Sequence, residues 1–429
     1  MFSSKKLCFL YIYAVIFVIG AGFIEPVSAA DIQLETSVSS LGIVPRGLIH
    51  QTLTTSSDSR HIAFGYSKGQ SVAVSVDGKT QKQYSNIGMT AFTFSPDGKK
   101  LAHPVTKGPV WSLAVGGVEG KLYDGIGTTI AFSPDSQRMA YAVRKGEKRV
   151  LIVDGEEQKT EYGAIMEGTP IFSPDGKHIA YGAGKGTKWL VVMDGNEGKG
   201  YNDLVKNSIV FSPDSSHLAY GAKLGRRWFV VKDGQESGPY NGITAGPVFS
   251  PDSKLMAYGV KKPTANMIVV DGQEKEAVAA VEHIAFSPDG KRLAYIAKKG
   301  LKQMFVVDEE PEVKFDVIQD NRIVFSPDSQ RVAYTLRRGG KWVVVIDGKE
   351  GKEYDRVMQD TLVFSPDSKH LAYMAQSNFK YFVVVDGVEG DQYEKNVHGS
   401  RLVFDSPTHL HGLMQQRGQF VKIDIDIKQ

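Results

Sequence analysis

The string Phe-Ser-Pro-Asp recurs along this chain, with its Phe at Phe94, Phe132, Phe172, Phe211, Phe249, Phe286, Phe325 and Phe364. Successive spacings are 38, 40, 39, 38, 37, 39 and 39 residues. A degenerate copy, Phe404-Asp405-Ser406-Pro407, follows 40 residues later, and Ser56-Ser57-Asp58-Ser59 holds the same place ahead of the first copy. A period near 40 residues requires stacked supersecondary units, each burying its apolar faces against its neighbours.

Residues 361–398 show the pattern of one unit. A short apolar strand A (361–364) runs into a Ser-Pro-Asp turn, where Pro presets φ and Asp or Ser bonds the following backbone. Strand B (371–374), a loop (376–378) and strand C (381–385) follow. Asp386-Gly387 reads as a two-residue hairpin, since both positions can take φ > 0. Strand D then passes through Tyr393 and Val397. No window has a 3.6-residue apolar period. Four strands per repeat predict an all-β chain, a β-propeller of four-stranded blades. The runs Val343-Val344-Val345-Ile346 and Val191-Val192 are too apolar for a sheet with one wet face, but they suit blades covered on both sides. In strand B a large residue, Ala and Tyr recur at Leu218-Ala219-Tyr220, Met256-Ala257-Tyr258, Leu293-Ala294-Tyr295 and Leu371-Ala372-Tyr373. Alternation along a strand turns the large pair to one neighbour and the Ala to the other.

Phe-Ser-Pro-Asp-Gly/Ser followed by Leu-Ala-Tyr resembles the WD-repeat-like motif of β-propellers, as in the propeller domain of the bacterial periplasmic protein TolB and in prolyl-oligopeptidase propellers. The resemblance spans roughly residues 55–407. It implies the fold and an envelope setting, and it says little about activity. TolB-type proteins carry an α/β domain before a propeller of fewer blades. Here only about 25 residues separate the expected cleavage site from the first repeat. Oligopeptidases add a hydrolase domain, whereas this sequence has no G-x-S-x-G.

Nine units run over 48–400, and 401–429 supply a tenth A, B and C without a D. The segment 31–47 precedes the first unit and is expected to supply that missing strand, leaving no open edge. A single ring of about ten blades follows; two smaller propellers are the alternative. Residues 1–30 read as a signal peptide. Lys5 and Lys6 precede an apolar run over 7–24, and Val27-Ser28-Ala29 offers small residues for cleavage after Ala29 or Ala30. The protein is therefore expected in the periplasm or secreted, and an uncleaved N-terminal membrane anchor is the alternative. The one cysteine, Cys8, leaves with the signal, which excludes a disulfide framework.

Fifty-one basic and 48 acidic residues give a net charge of +3, so bulk charge does not point to nucleic acid. The repeated turn Asp residues, Asp58 to Asp367, and the hairpin Asp residues read as turn caps. His61, His178, His217 and His370 read as solvated turn residues. No metal site, cofactor or nucleophile with a base is apparent, so the chain is expected to be no enzyme. The B–C loops carry Arg144, Lys145, Lys185, Arg226, Arg227, Lys298, Lys299, Arg337 and Arg338, and propeller geometry gathers them on one face. Trp189, Trp228, Trp342 and Tyr381 open the neighbouring C strands. The D–A segments Met166-Glu167-Gly168-Thr169, Lys206-Asn207-Ser208 and Gln319-Asp320-Asn321-Arg322 are expected on that same face, and varied loops on a rigid scaffold are where recognition sits. The expected role is a binding scaffold for another protein, with an acidic surface, in the bacterial envelope. An acidic polysaccharide is the alternative partner, and a membrane only if the leader stays. An enzyme with its site in the central channel is the remaining alternative. Mass spectrometry of the protein from its native host is expected to find the N-terminus at Ala30 or Asp31; an intact Met1 in the membrane fraction would establish the anchor instead.

Overall fold

Each repeat closes into one small antiparallel sheet, in the strand order A-B-C-D. The computed structural model describes residues 32–429 except 89–90, 278, 309 and 316, and also leaves the side chains of 311–322 undescribed. The expected signal segment lies outside the described residues. The ten blades span 48–84, 86–123, 125–162, 164–201, 203–240, 242–277, 280–315, 317–354, 356–393 and 395–428. The last blade thus starts at Lys395, ahead of the expected 401, because its first strand segment is Lys395–Asn396, and Val397 follows that segment rather than lying in strand D of blade 9.

Blade 10 is completed from the other end of the chain. Gln33–Ile43 pairs antiparallel with Gln419–Lys428, from Gln33 opposite Lys428 to Ile43 opposite Gln419. The N-terminal segment is therefore the missing strand D, and the ring is single.

The packing explains why the strands are apolar on both faces. Among the described residues, the buried side chains fall into ten clusters, one at each junction between neighbouring blades. The tenth joins Val397, Leu413 and Phe420 of blade 10 to Ile62 and Phe64 of blade 1. At the junction of blades 7 and 8, Ala294 and Ile296 meet Val332, Tyr334 and Leu336. Tyr295 and Ala297, on the other face of the same strand, pack toward Ala245 and Ile268 of blade 6. Ala140, Ala180, Ala219, Ala257, Ala294, Ala333 and Ala372 are all 0% exposed, as the large-against-small pattern in strand B requires. Strand A of blade 6 lies against strand A of blade 7, which places the A strands at the inside of the ring. Strand D forms its outer wall and is exposed along most of its length, as in Lys79–Tyr84.

One expectation is corrected. Met166-Glu167-Gly168-Thr169 and Lys206-Asn207-Ser208 are not links between blades. Strand A of blade 4 is two pieces, Ala164–Ile165 and Ile171–Phe172, both paired with Ile179–Lys185, and the turn sits between them. Strand A of blade 5 is split in the same way, as Asp203–Leu204 and Val210–Phe211. These turns therefore bulge from the inner edge of the blade. Their Ser or Thr fixes them: the Thr169 hydroxyl donates to Met166 O at 2.6 Å and accepts the Gly182 N–H, and Ser208 does the same with Val205 O and Gly221 N–H. Residues 319–322 likewise fall inside strand Val317–Phe325. The true D–A links are one or two residues long, Gly163 and Asn202 being examples.

Because every blade contacts only its neighbours, an exposed edge at blade 10 would weaken the whole ring. Deleting 32–43 is expected to lower the melting temperature by more than about 10 °C and to cause aggregation. An unchanged melt would show that the ring holds without this strand.

Candidate functional site

The face formed by the A–B turns and C–D hairpins is occupied by its own hydrogen bonds. In blade 4, the Ser173 hydroxyl donates to Asp175 Oδ1 at 2.5 Å and accepts the His178 N–H at 2.9 Å, while Asp175 Oδ1 also accepts the Lys177 N–H. The hairpin residue Asp194 accepts the Ile179 N–H through Oδ1 and meets His178 Nδ1 through Oδ2 at 2.7 Å. The hairpin residues Asp77, Asp154, Asp194, Asp233, Asp271, Asp347 and Asp386 each sit at φ near 50° ahead of a positive-φ Gly, as the two-residue turn demands. Neighbouring turns are stapled together. Ser215, at φ 66°, accepts the Asp175 N–H of the preceding blade at 3.0 Å, and Ser136, Ser253, Ser329 and Ser368 repeat this. Arg331 reaches Asp347 through Nε, donates to Ser368 O and Lys369 O of the next blade, and stacks on Phe364.

The histidines of these turns all bond a hairpin Asp through Nδ1. They are not simply solvated: the His370 side chain is 3% exposed, and the bond to Asp386 raises its pKa. His409 bonds Asp426 and His411 bonds Asp405. Among the described residues no group of three His, Cys, Asp or Glu is arranged to hold a metal ion.

On the outer wall a second repeating network appears. The Glu three residues after the hairpin Asp receives a base from the end of strand B: Lys145 on Glu157, Lys185 on Glu197 and Arg338 on Glu350, each at 2.7 Å, and Lys262 on Glu274. The preceding blade adds Lys199 and the Tyr201 hydroxyl on Glu236, or the Tyr162 hydroxyl on Glu197. Strand-D Tyr rings meet the strand-B Tyr of the next blade edge to face, as in Tyr162–Tyr181 and Tyr354–Tyr373 at 6.0 Å. Burial pushes the Tyr354 hydroxyl up to about 12.

The B–C face is therefore less uniformly basic than the sequence implies. Lys145, Lys185 and Arg338 are neutralised as above, Lys298 pairs with Glu282 at 3.3 Å, and Arg227 donates to Asn241 Oδ1 at 2.8 Å. The four aromatics are half-buried against blade junctions rather than free: Trp189, Trp228, Trp342 and Tyr381 each pack on an apolar cluster. Lys223 lies over Trp228 and Arg337 over Trp342. Arg226 and Lys299 are exposed at or beside hairpin tips. Arg144 donates to Asp124 O and, with Arg149, lines a cleft of about 260 Å³ between blades 3 and 4. Gly125, Gly127, Thr128 and Thr129 form one wall, and Met166, Glu167 and Thr169 of the inserted turn form the other. The Gly168 N–H bonds Thr129 Oγ1 at 3.0 Å across it. The lining thus mixes Arg144 and Arg149 with hydroxyls, bare backbone and the Glu167 carboxylate.

Fold and face together define a ten-bladed β-propeller with one side committed to its own bonds and the other open and varied. No family model matches the chain, and no curated protein matches it. Among solved structures it is similar to a eukaryotic initiation factor at 12% identity, with a TM-score of 0.48 over 78% of this chain and 96% of that one. It is also similar to the Dos1 propeller at 13% identity, with a TM-score of 0.36 over 70% and 92%. A third likeness is to the dihydro-heme d1 dehydrogenase NirN at 13%, with a TM-score of 0.37 over 74% and 77%.

The turn bonds have a pH consequence. The Ser173 and Ser212 hydroxyls, with the backbone N–H groups two residues on, hold the Asp175 and Asp214 carboxyls well below the usual 3.8. Asp97, Asp135, Asp252 and Asp289 are lowered by the same bonds. A depressed folded pKa contributes stability that is complete above the unfolded value and lost as pH falls through the folded one. The melting-temperature gap between wild type and Asp175→Asn/Asp214→Asn is expected to be widest near neutrality and to shrink below about pH 4. A gap independent of pH would remove the carboxylates from this account.

Proposed function

We propose that this propeller is an exported, non-catalytic scaffold that binds another protein of the bacterial envelope through its B–C face. The observation that carries the reading is the division of the two faces. Groups on the A–B/C–D face are copies already bonded to one another, while the B–C face retains the cleft lined by Arg144 and Arg149 and tips that differ from blade to blade. The likeness of the repeat to the TolB propeller and the leader-like residues 1–30 support the envelope setting. Arg144 and Arg149 offer donors to an acidic side chain of the partner, and the exposed Arg226 on the same face would speed encounter. A polysaccharide partner is the weaker reading, since Trp189, Trp228 and Trp342 each pack partly against a blade junction.

Affinity capture of the mature protein from envelope extract, read by mass spectrometry, identifies the partner. Replacing Arg226, Arg227, Arg337 and Arg338 by Ser is expected to leave the fold intact at a small cost in stability, since the contacts of Arg227 with Asn241, Arg337 with Trp342 and Arg338 with Glu350 lie at the surface. It should slow association with the captured partner and flatten its salt dependence. Unchanged binding by this variant, together with loss of binding from Ser-Pro-Asp turn variants that stay folded, would place the site on the opposite face.

A further inference from the structure

The tips of the B–C hairpins change character around the ring. The residue at the tip is Gln70 in blade 1, Glu147 in blade 3, Thr187 in blade 4 and Arg226 in blade 5, but Leu301 in blade 7 and Phe379 in blade 9. Leu301 is 92% exposed and Phe379 88%. Ile43, where the last strand D ends beside the B–C loop of blade 10, is 72% exposed. Among the described residues these are three of the four most exposed large apolar side chains, and all three lie on one face, in the sector of blades 7 to 10. The fourth, Val118 at 74%, is on the C–D hairpin of blade 2, on the other face.

The hairpin that carries Phe379 is held by its own bonds. Asn378 and Phe379 occupy φ 48° and 62°, the left-handed pair of a two-residue turn. The Asn378 N–H is held by Asp355 Oδ2 at 2.8 Å. An aromatic residue is strained at that φ, and Gly340 stands at the matching position of blade 8, so the turn itself does not call for Phe. Cations flank the three tips: Lys299 beside Leu301, Lys380 beside Phe379, and Arg417 at the hairpin beside Ile43. Acids of this sector are already engaged, Glu350 with Arg338 and Asp355 with Lys341 and the Asn378 N–H. None of the residues 299–302, 338–341, 377–380 or 416–419 is acidic.

We propose that this sector docks the propeller on an anionic lipid surface, Leu301, Phe379 and Ile43 entering the boundary between headgroups and acyl chains while the flanking bases meet headgroup phosphates. A protein hot spot gathers its anchors into one packed patch. Here the apolar groups stand on separate protruding tips, each with its own cation, which is the arrangement an interfacial anchor uses. This goes beyond the partner reading above and does not depend on it. The cleft between blades 3 and 4 lies outside the sector.

The test is co-sedimentation of the protein, as purified from its host, with vesicles of phosphatidylcholine alone or mixed with phosphatidylglycerol. The wild type should bind the mixed vesicles and not the neutral ones. Leu301→Ser with Phe379→Asn, the latter suited to the left-handed turn, should lower partitioning by about tenfold or more at an unchanged melting temperature. Lys299→Gln, Lys380→Gln and Arg417→Gln together should also weaken it, whereas Val118→Ser should bind as wild type. Absence of phosphatidylglycerol-dependent binding would overturn the proposal. So would equal binding by the Leu301/Phe379 variant, an equal loss with Val118→Ser, or capture of a protein on these tips without vesicle binding.

Discussion

Everything in this molecule depends on one strand pairing, that of Gln33–Ile43 with Gln419–Lys428. A blade has no core of its own, since its buried side chains belong to the junctions on either side. An open array would leave one wet junction at each end. The N-terminal strand completes blade 10, whose Val397, Leu413 and Phe420 then cover Ile62 and Phe64 of blade 1. Polar bonds reinforce the same seam. Arg60 meets Asp405 at 2.6 Å, Ser59 accepts the Arg401 N–H, and the fully buried His411 reaches Asp58 O at 2.7 Å. The apolar contact excludes water, and these bonds, each worth on the order of 1 kcal/mol, set the register of the two ends.

Away from the seam, a junction such as that of blades 4 and 5 has three layers. A Ser staple joins the A–B turns, Ala faces large apolar residues in the middle, and the Tyr–Glu–Lys contacts tie the outer strands. The layers act at different distances from the ring axis, so together they fix the angle between blades as well as their separation. The inserted turns of strand A add a fourth contact at the inner edge, as where Gly168 of blade 4 bonds Thr129 of blade 3. Where strand A is continuous, as in Gly125–Phe132, a register shift between Ile126 and Ile130 takes up the extra residues. The cleft between blades 3 and 4 lies where these two forms of strand A meet.

Much of this was legible in the sequence because it repeats. The Phe-Ser-Pro-Asp spacing gave the number of blades, the missing tenth strand D pointed to the N-terminal segment, and Leu-Ala-Tyr showed which residues face which neighbour. The inserted turns were misplaced because Gly168 and Asn207 carry the same composition as true connecting loops; the positive φ each adopts serves either purpose. The useful mark was the Ser or Thr that closes the turn on the N–H of strand B, which only the fold explains. The basic rim was legible as a set of cations but not as ion pairs. Lys145 and Glu157, Lys185 and Glu197, and Arg338 and Glu350 are each 12 residues apart, so the pairing lay in the register between strands B and D. The aromatics at the start of strand C are half-covered by the neighbouring blade, a contact that the pattern within one repeat does not show.

Repetition also separates structure from recognition. A group that joins one blade to the next must recur at every junction that uses it, so the residues that build the ring are constrained to be alike. The turn Ser and Asp, the hairpin Asp, the strand-B Ala and the outer Glu all obey this. A residue that differs from blade to blade cannot serve that purpose, and its identity is free to answer to something outside the ring. The B–C tips are the largest set of such residues: they are polar in blades 1, 3, 4 and 5, Leu301 in blade 7 on the same kind of turn, and Phe379 in blade 9 on a turn that takes φ 62° at the tip. Rigid junctions make that difference usable, because they keep neighbouring tips at fixed separations, so that whatever meets this face meets several of them together.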